Sequence, residues 1–230
     1  MYSSKLDIVD VLNPWFGRVA VAIVTCLVVT CLIVPANGDE IEMQFRMQAT
    51  TGDGQPLALV DGVPSVALGD TFWLEGLITD TRADAGGVFA GYVDVSYDKQ
   101  LVSVDRESLE YGDEYPNAHT APGLIFATEG ILDEIGGMAG IDAPIDPAAE
   151  YLMFRVEMSA DAIGKVDFIS DAADITPRND IVLRFDTAPL PTDRVSYQGL
   201  AVQIVPEPTA FVMMSLGVLL FANGLRRSLR

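Results

Sequence analysis

Cysteine, histidine and basic residues are what this 230-residue sequence has least of. Its two cysteines, Cys26 and Cys31, both lie inside one apolar run. The remainder of the chain therefore has no material for a disulfide framework, a zinc site or a thiol nucleophile. The single histidine, His119, sits in a proline-bounded loop, a setting that suits a solvated histidine better than a general base. No Gly-x-Ser-x-Gly elbow, phosphate loop or His-Glu-x-x-His pair is present. Fourteen Lys+Arg stand against 33 Asp+Glu, a net charge of −19. Nucleic acid is excluded as a partner, because phosphate binding needs a basic patch.

What is present is apolar: half the residues are hydrophobic and the mean hydropathy is +0.29. High charge together with low hydrophobicity would spell disorder, and this chain does not have that pairing. Acid and grease are instead segregated. The first apolar block runs from Val19 to Val34, after Lys5 and Arg18 and before Pro35-Ala36-Asn37-Gly38. Small residues at Ala36 and Gly38 fit a secretory cleavage site, so residues 1–38 read as a signal peptide and signal helix, with an uncleaved anchor as the alternative. The second block, 209–225, carries no charge and reads as a transmembrane helix near the lower length limit. Pro206 and Pro208 bound it on one side, and the basic tail 226–230 follows with Arg226, Arg227 and Arg230. Under the positive-inside rule that tail is a cytoplasmic stop and the preceding chain is outside.

Residues 206–230, with Pro206-Glu207-Pro208 before a short apolar span and a terminal arginine cluster, resemble the PEP-CTERM sorting signal of exported bacterial proteins. The resemblance implies an exosortase-type processing protease as partner, with Pro206, Glu207 and Pro208 as its motif. It also implies transient inner-membrane anchoring before delivery to the cell surface or extracellular matrix.

Between the two signals, residues 39–205 have a period of two rather than 3.6. Ile41, Met43, Phe45 and Met47 alternate with Glu42, Gln44, Arg46 and Gln48. Further strands are expected over 71–80, 88–97, 101–104, 123–128, 150–159, 165–170, 181–185 and 195–205, separated by Gly, Pro, Asp and Asn clusters. About nine strands without helices predict an all-β chain, a single antiparallel β-sandwich. The passage Gly87 to Asp98, ending a strand in Tyr97-Asp98 just before Leu101-Val-Ser-Val104, is similar to cohesin-like and related carbohydrate-binding sandwich domains. That resemblance implies a fold, and fold does not carry function.

Calcium is the one cofactor the composition suggests, since hard cations want several oxygen ligands on a turn. Asp80 and Asp84 beside Gly86-Gly87 form one candidate loop, and Asp171, Asp174 and Asp180 a second. A solvated acidic surface explains the same residues. Trp73 and Tyr92 are the aromatics whose strand positions suggest an outward, ligand-stacking face. The sequence thus reads as a non-enzymatic, exported structural or adhesive protein with polysaccharide or surface-protein partners. A specific cohesin-type or carbohydrate-binding module is the alternative. A matrix glycoside hydrolase, needing two convergent carboxylates, stands behind both.

The charge is sharper when divided. Residues 1–38 hold two basic and two acidic side chains, and 206–230 hold three basic and one acidic. The intervening domain keeps nine basic and 30 acidic residues, a charge of −21.

Overall fold

A computed structural model describes residues 40–117, 120–140, 149–174, 181–186 and 188–207. The expected signal helix, transmembrane helix and basic tail lie outside these residues, as do His119, Asp180 and Pro208. Among the described residues no helix is long and apolar enough to cross a membrane.

The described chain is two β-sheets facing each other across a shared apolar core. The first strand, β1 (Met43–Thr50), shows how the pattern works: Met43, Phe45 and Met47 are buried, while Gln44, Arg46 and Gln48 are partly exposed. Its neighbour β4 (Thr71–Asp80) pairs with it antiparallel along the full length. Beyond β4 come β9 (Tyr151–Ala160) and, on its far side, β6 (Val102–Val104) and β7 (Glu110–Tyr111). The opposite edge is β12 (Val195–Gln198).

The second sheet centres on β5 (Val88–Ser96) and β10 (Gly164–Ala172). On one side of β5 lies β8 (Ile131–Met138), and β11 (Val182–Leu183) and β10 share the other. From β10 the sheet continues through β13 (Leu200–Val205) to β3 (Val63–Ala67) and β2 (Leu59–Val60). Between the sheets, Phe45 stacks near Phe154 at 6.3 Å, and Phe72 meets Phe168 edge-on at 6.2 Å. Each such ring, removed from water, contributes roughly 1.5–3 kcal/mol.

The all-β expectation holds, but four details differ from it. The sandwich is not purely antiparallel, because β1 pairs with β12 and β13 pairs with β3 in parallel. The single strand expected over 195–205 is two strands in different sheets. Gly199 is the switch: a Cβ there would stand 2.7 Å from the Phe168 carbonyl oxygen, so only glycine lets the chain pass. The segment expected as a strand over 123–128 is instead a one-turn helix, α1 (Pro122–Ile125). Pro122 supplies the fixed φ of a first helical turn, and the adjacent Ile125 and Phe126 are both buried, which no alternating strand allows.

The fourth difference is β8, which carries Asp133, Glu134, Gly136 and Gly137 and lacks a strand's usual composition. Its register shifts opposite Val93–Val95, and Glu134 there has a φ of 56°. The Asp94 carboxylate accepts the Glu134 N–H at 2.7 Å and so holds this bulge. A second bulge falls between Gly76 and Leu77 opposite β9. It turns both Met153 and Phe154 into the core, which explains the mixed pattern of that strand. Gly76 and Gly91 leave the space: a Cβ on the first would strike the Phe154 ring, and on the second would meet Met153 Sδ at 2.9 Å.

Candidate functional site

Two outer faces and one cleft carry the charged and aromatic groups. On the outer face of the first sheet, Trp73 of β4 sits between Thr50 of β1 and Glu157 of β9. The Arg155 guanidinium lies 4.7 Å from the Trp73 ring centroid, and its Nε donates to Glu110 at 2.7 Å. Next to this pair is a second chain of contacts. Arg46 forms a two-pronged ion pair with Glu150 at 2.8 and 2.7 Å and also donates to Gln48 at 3.3 Å. Gln48 in turn donates to Glu75 at 2.6 Å, which also accepts from Thr50 at 3.0 Å. Side chains of adjacent strands thus form two neighbouring polar groups on one face, the indole and its guanidinium in one and the buried Glu75 in the other. Mutual hydrogen bonding lets the buried Glu75 remain there.

Trp73 is therefore outward but not bare. A cation already stands over its ring, and a stacked sugar on that side would have to displace it. Tyr92 differs from the expectation more strongly. It does face away from the main core, but it is only 1% exposed, because Ala90 and Ala173 pack with it in a satellite cluster. Burial removes Tyr92 from any ligand-stacking face.

The first candidate calcium loop is occupied by its own protein. Asp80 is 4% exposed, and its Oδ2 accepts from the Gly86 and Gly87 amides at 3.0 and 2.9 Å and from Arg82 Nη2 at 2.9 Å. Its Oδ1 accepts from the Arg82 amide and Nε at 3.2 and 3.0 Å. Burial opposes the charge, but the Arg82 and amide hydrogen bonds outweigh it and hold the carboxyl below its ordinary range. Asp84 is exposed on the same loop and joins no convergence of acidic groups among the described residues.

The second loop is partly assembled, with partners drawn from elsewhere. Asp174 converges with Asp94 of β5 and Asp133 of β8, their carboxylate oxygens lying within 4.8 Å of one another. Asp171 is the cross-strand partner of Asp94. Burial and the neighbouring Asp133, Glu134 and Asp171 charges push Asp94 up to about 6. Asp133 and Asp171 are raised by burial and then by Asp174. Asp94 and Asp133 are 39 residues apart and invisible as a pair until β5 and β8 are adjacent. Burial first, and crowding of like charges second, thus raise the proton affinity of all three strand-borne carboxylates.

The cleft, of about 230 Å³, opens where edge strand β6 of the first sheet meets the α1–β8 connection of the second. Tyr97, Lys99, Ser103, Arg106, Thr128 and Glu129 line it. Sequence reasoning missed this site because its residues come from β6 and from turns remote from one another in the chain. The only signal was that two of the domain's nine cations, Lys99 and Arg106, lie seven residues apart.

Pro206 and Glu207 follow directly on β13, Pro206 half-buried and Glu207 exposed.

No family model and no curated protein matches this chain. Among solved structures, it is similar to the third cohesin of ScaC from Acetivibrio cellulolyticus, solved with the ScaB dockerin. The identity is 11%, over 71% of this chain and 99% of that one, with a TM-score of 0.43. It is also similar to the seventh ScaB type I cohesin of Pseudobacteroides cellulosolvens, at 9% identity over 71% and 92% of the two chains and a TM-score of 0.42. A cohesin module from a Clostridium perfringens family 33 glycoside hydrolase matches at 12% identity, over 71% and 98%, with a TM-score of 0.39. These are likenesses to cohesin sandwiches, and they assign no residue of this chain a role.

Proposed function

We propose that this chain is a non-catalytic adhesive module, exported and sorted through its C-terminal segment, that engages a surface protein through the outer face of the first sheet. The observation that carries the reading is the Trp73–Arg155 pair on the outer face, tied to Glu110 and lying beside the Gln48–Glu75–Thr50 hydrogen bonds. Tryptophan and arginine are the side chains that most often dominate protein interfaces, and rigid neighbours lower the ordering cost of binding. The guanidinium over the indole favours a protein partner over a stacked sugar. Among readings of the cohesin-type or carbohydrate-binding kind, this is the protein-binding one.

Retention on the exporting cells tests it, measured as cell-bound chain over chain in the medium. Trp73→Ala is expected to shift that ratio at least tenfold toward the medium, with the melting temperature nearly unchanged. Unchanged retention in Trp73→Ala and Arg155→Ala alike would overturn the reading. Glycan-array binding that Trp73→Ala abolishes would move it to the carbohydrate-binding alternative.

Sorting is supported by Pro206-Glu207-Pro208 and by the position of Glu207, exposed immediately past the last strand, where a membrane protease can reach it. Substituting Glu207, or deleting residues 226–230, is expected to leave a mature mass larger by the unprocessed tail. Normal processing in both variants would remove exosortase-type sorting from the proposal.

A further inference from the structure

In a domain of charge −21, a cation outside any ion pair calls for a reason. Arg46, Arg82, Lys99, Arg155, Lys165 and Arg194 are all in ion pairs. Arg106 has no ion pair or side-chain hydrogen bond among the described residues, yet it is exposed at the rim of the cleft. Its backbone is fixed there, because the Asp105 carboxylate accepts the Glu107 N–H at 3.0 Å and the Asp105 carbonyl accepts the Ser108 N–H at 3.2 Å. Lys99 is presented in the same way by a turn in which Asp98 accepts the Gln100 N–H at 2.8 Å. Lys99 then pairs with Glu129 at 2.9 Å. The charged groups lining the cleft therefore sum to +1, against the sign of the domain's net charge.

We infer that this cleft binds a single carboxylate-bearing sugar unit, a uronate, with Arg106 as the carboxylate clamp. Three features select that class. A planar guanidinium matches a carboxylate with two parallel hydrogen bonds. A net charge of +1 balances one carboxylate and undercompensates a phosphate dianion. The Tyr97, Ser103 and Thr128 hydroxyls and the Lys99–Glu129 pair offer both donors and acceptors, as a ring of hydroxyl groups requires. The Tyr97 hydroxyl is held above its ordinary pKa chiefly by burial, and it feels both the Arg106 and Glu129 charges. The cleft volume lies below the roughly 300 Å³ lower limit of drug-sized pockets, which suits one sugar ring.

This inference stands on the cleft alone and does not need the Trp73 face. Its test is saturation-transfer NMR on the full-length chain with sodium glucuronate as the probe, in low salt. Glucuronate is expected to receive saturation, and glucose, the same ring without the carboxylate, is not. Arg106→Gln is expected to weaken binding at least tenfold, Arg106→Lys by less, and Trp73→Ala not at all. A short oligouronate that binds with the same Arg106 dependence assigns the unit to a polysaccharide, and binding of the monomer alone assigns it to a free sugar acid. Equal binding by Arg106→Gln, competition by equimolar acetate or a peptide C-terminus, or equal binding of glucose would each overturn the inference.

Discussion

Replacing Asp80 with alanine is expected to lower the unfolding free energy by about 3–5 kcal/mol, the scale of breaking one side of a buried, hydrogen-bonded ion pair. Asp80 ends β4, and its two oxygens gather the Arg82 guanidinium and the amides of Arg82, Gly86 and Gly87. Without the carboxylate those donors lose their acceptor in a region with little access to water. The 81–87 connection would then lose its anchor at the point where the chain crosses from β4 in one sheet to β5 in the other. For a domain of this size the melting temperature should fall by roughly 6–20 °C.

The pH dependence gives an independent check. Asp80 is held below its ordinary pKa in the folded chain, so its contribution is present above about pH 4 and is lost as the pH falls through the folded value. The gap between wild type and Asp80→Ala should therefore close in acid. Asp84→Ala, four residues away and exposed, should stay within about 0.5 kcal/mol of wild type at every pH. Equal losses at Asp80 and Asp84 would show that the Asp80 network does not anchor the loop.

The second large effect is expected at Gly136. This residue pairs with Tyr92 across β5 and β8, and an added Cβ would collide with the Gly91 carbonyl oxygen. The obstacle is backbone, so no side-chain rotation relieves it, and the two strands must separate. We expect Gly136→Ala to cost about 3 kcal/mol or more, at or beyond the upper end for overpacking. Gly123 supplies the comparison. It lies in α1, and an added Cβ there would meet nothing within 4 Å. Gly123→Ala should be neutral or stabilise by up to about 1 kcal/mol, since alanine loses less backbone freedom on folding. Urea unfolding of the pair would decide, and a stable Gly136→Ala protein would contradict the close approach of β5 and β8.

Legibility in the sequence followed the physics of each element. The alternation in β1 reflects a core on one side and a partly wetted face on the other, and the apolar rows of β4 and β5 reflect strands largely covered on both faces, so all three were readable. Where a residue had to satisfy two neighbours at once, the pattern failed. β8 is held by a bulge, two glycines and an aspartate from another strand, and none of these is a local strand signal. The change of sheets at Gly199 and the helical turn at Pro122 depend in the same way on what lies opposite.

The candidate sites divide along the same line. Trp73 could be placed outward from its position in a strand, but the cation over its ring comes from β9, 82 residues later. Asp80 and Asp84 looked alike as neighbours in an acidic loop, and burial made one the anchor of that loop and left the other in solvent.

The sequence by itself determined that an acidic, cysteine-free domain stands between two apolar segments and folds as strands, because charge, hydropathy and their local alternation need no partner remote in the chain. Tertiary structure alone decided which acids are counterbalanced, which aromatic is reachable and where two cations make a cleft of opposite sign. Those properties belong to distances between residues remote in sequence, and only the pairing of the two sheets fixes them.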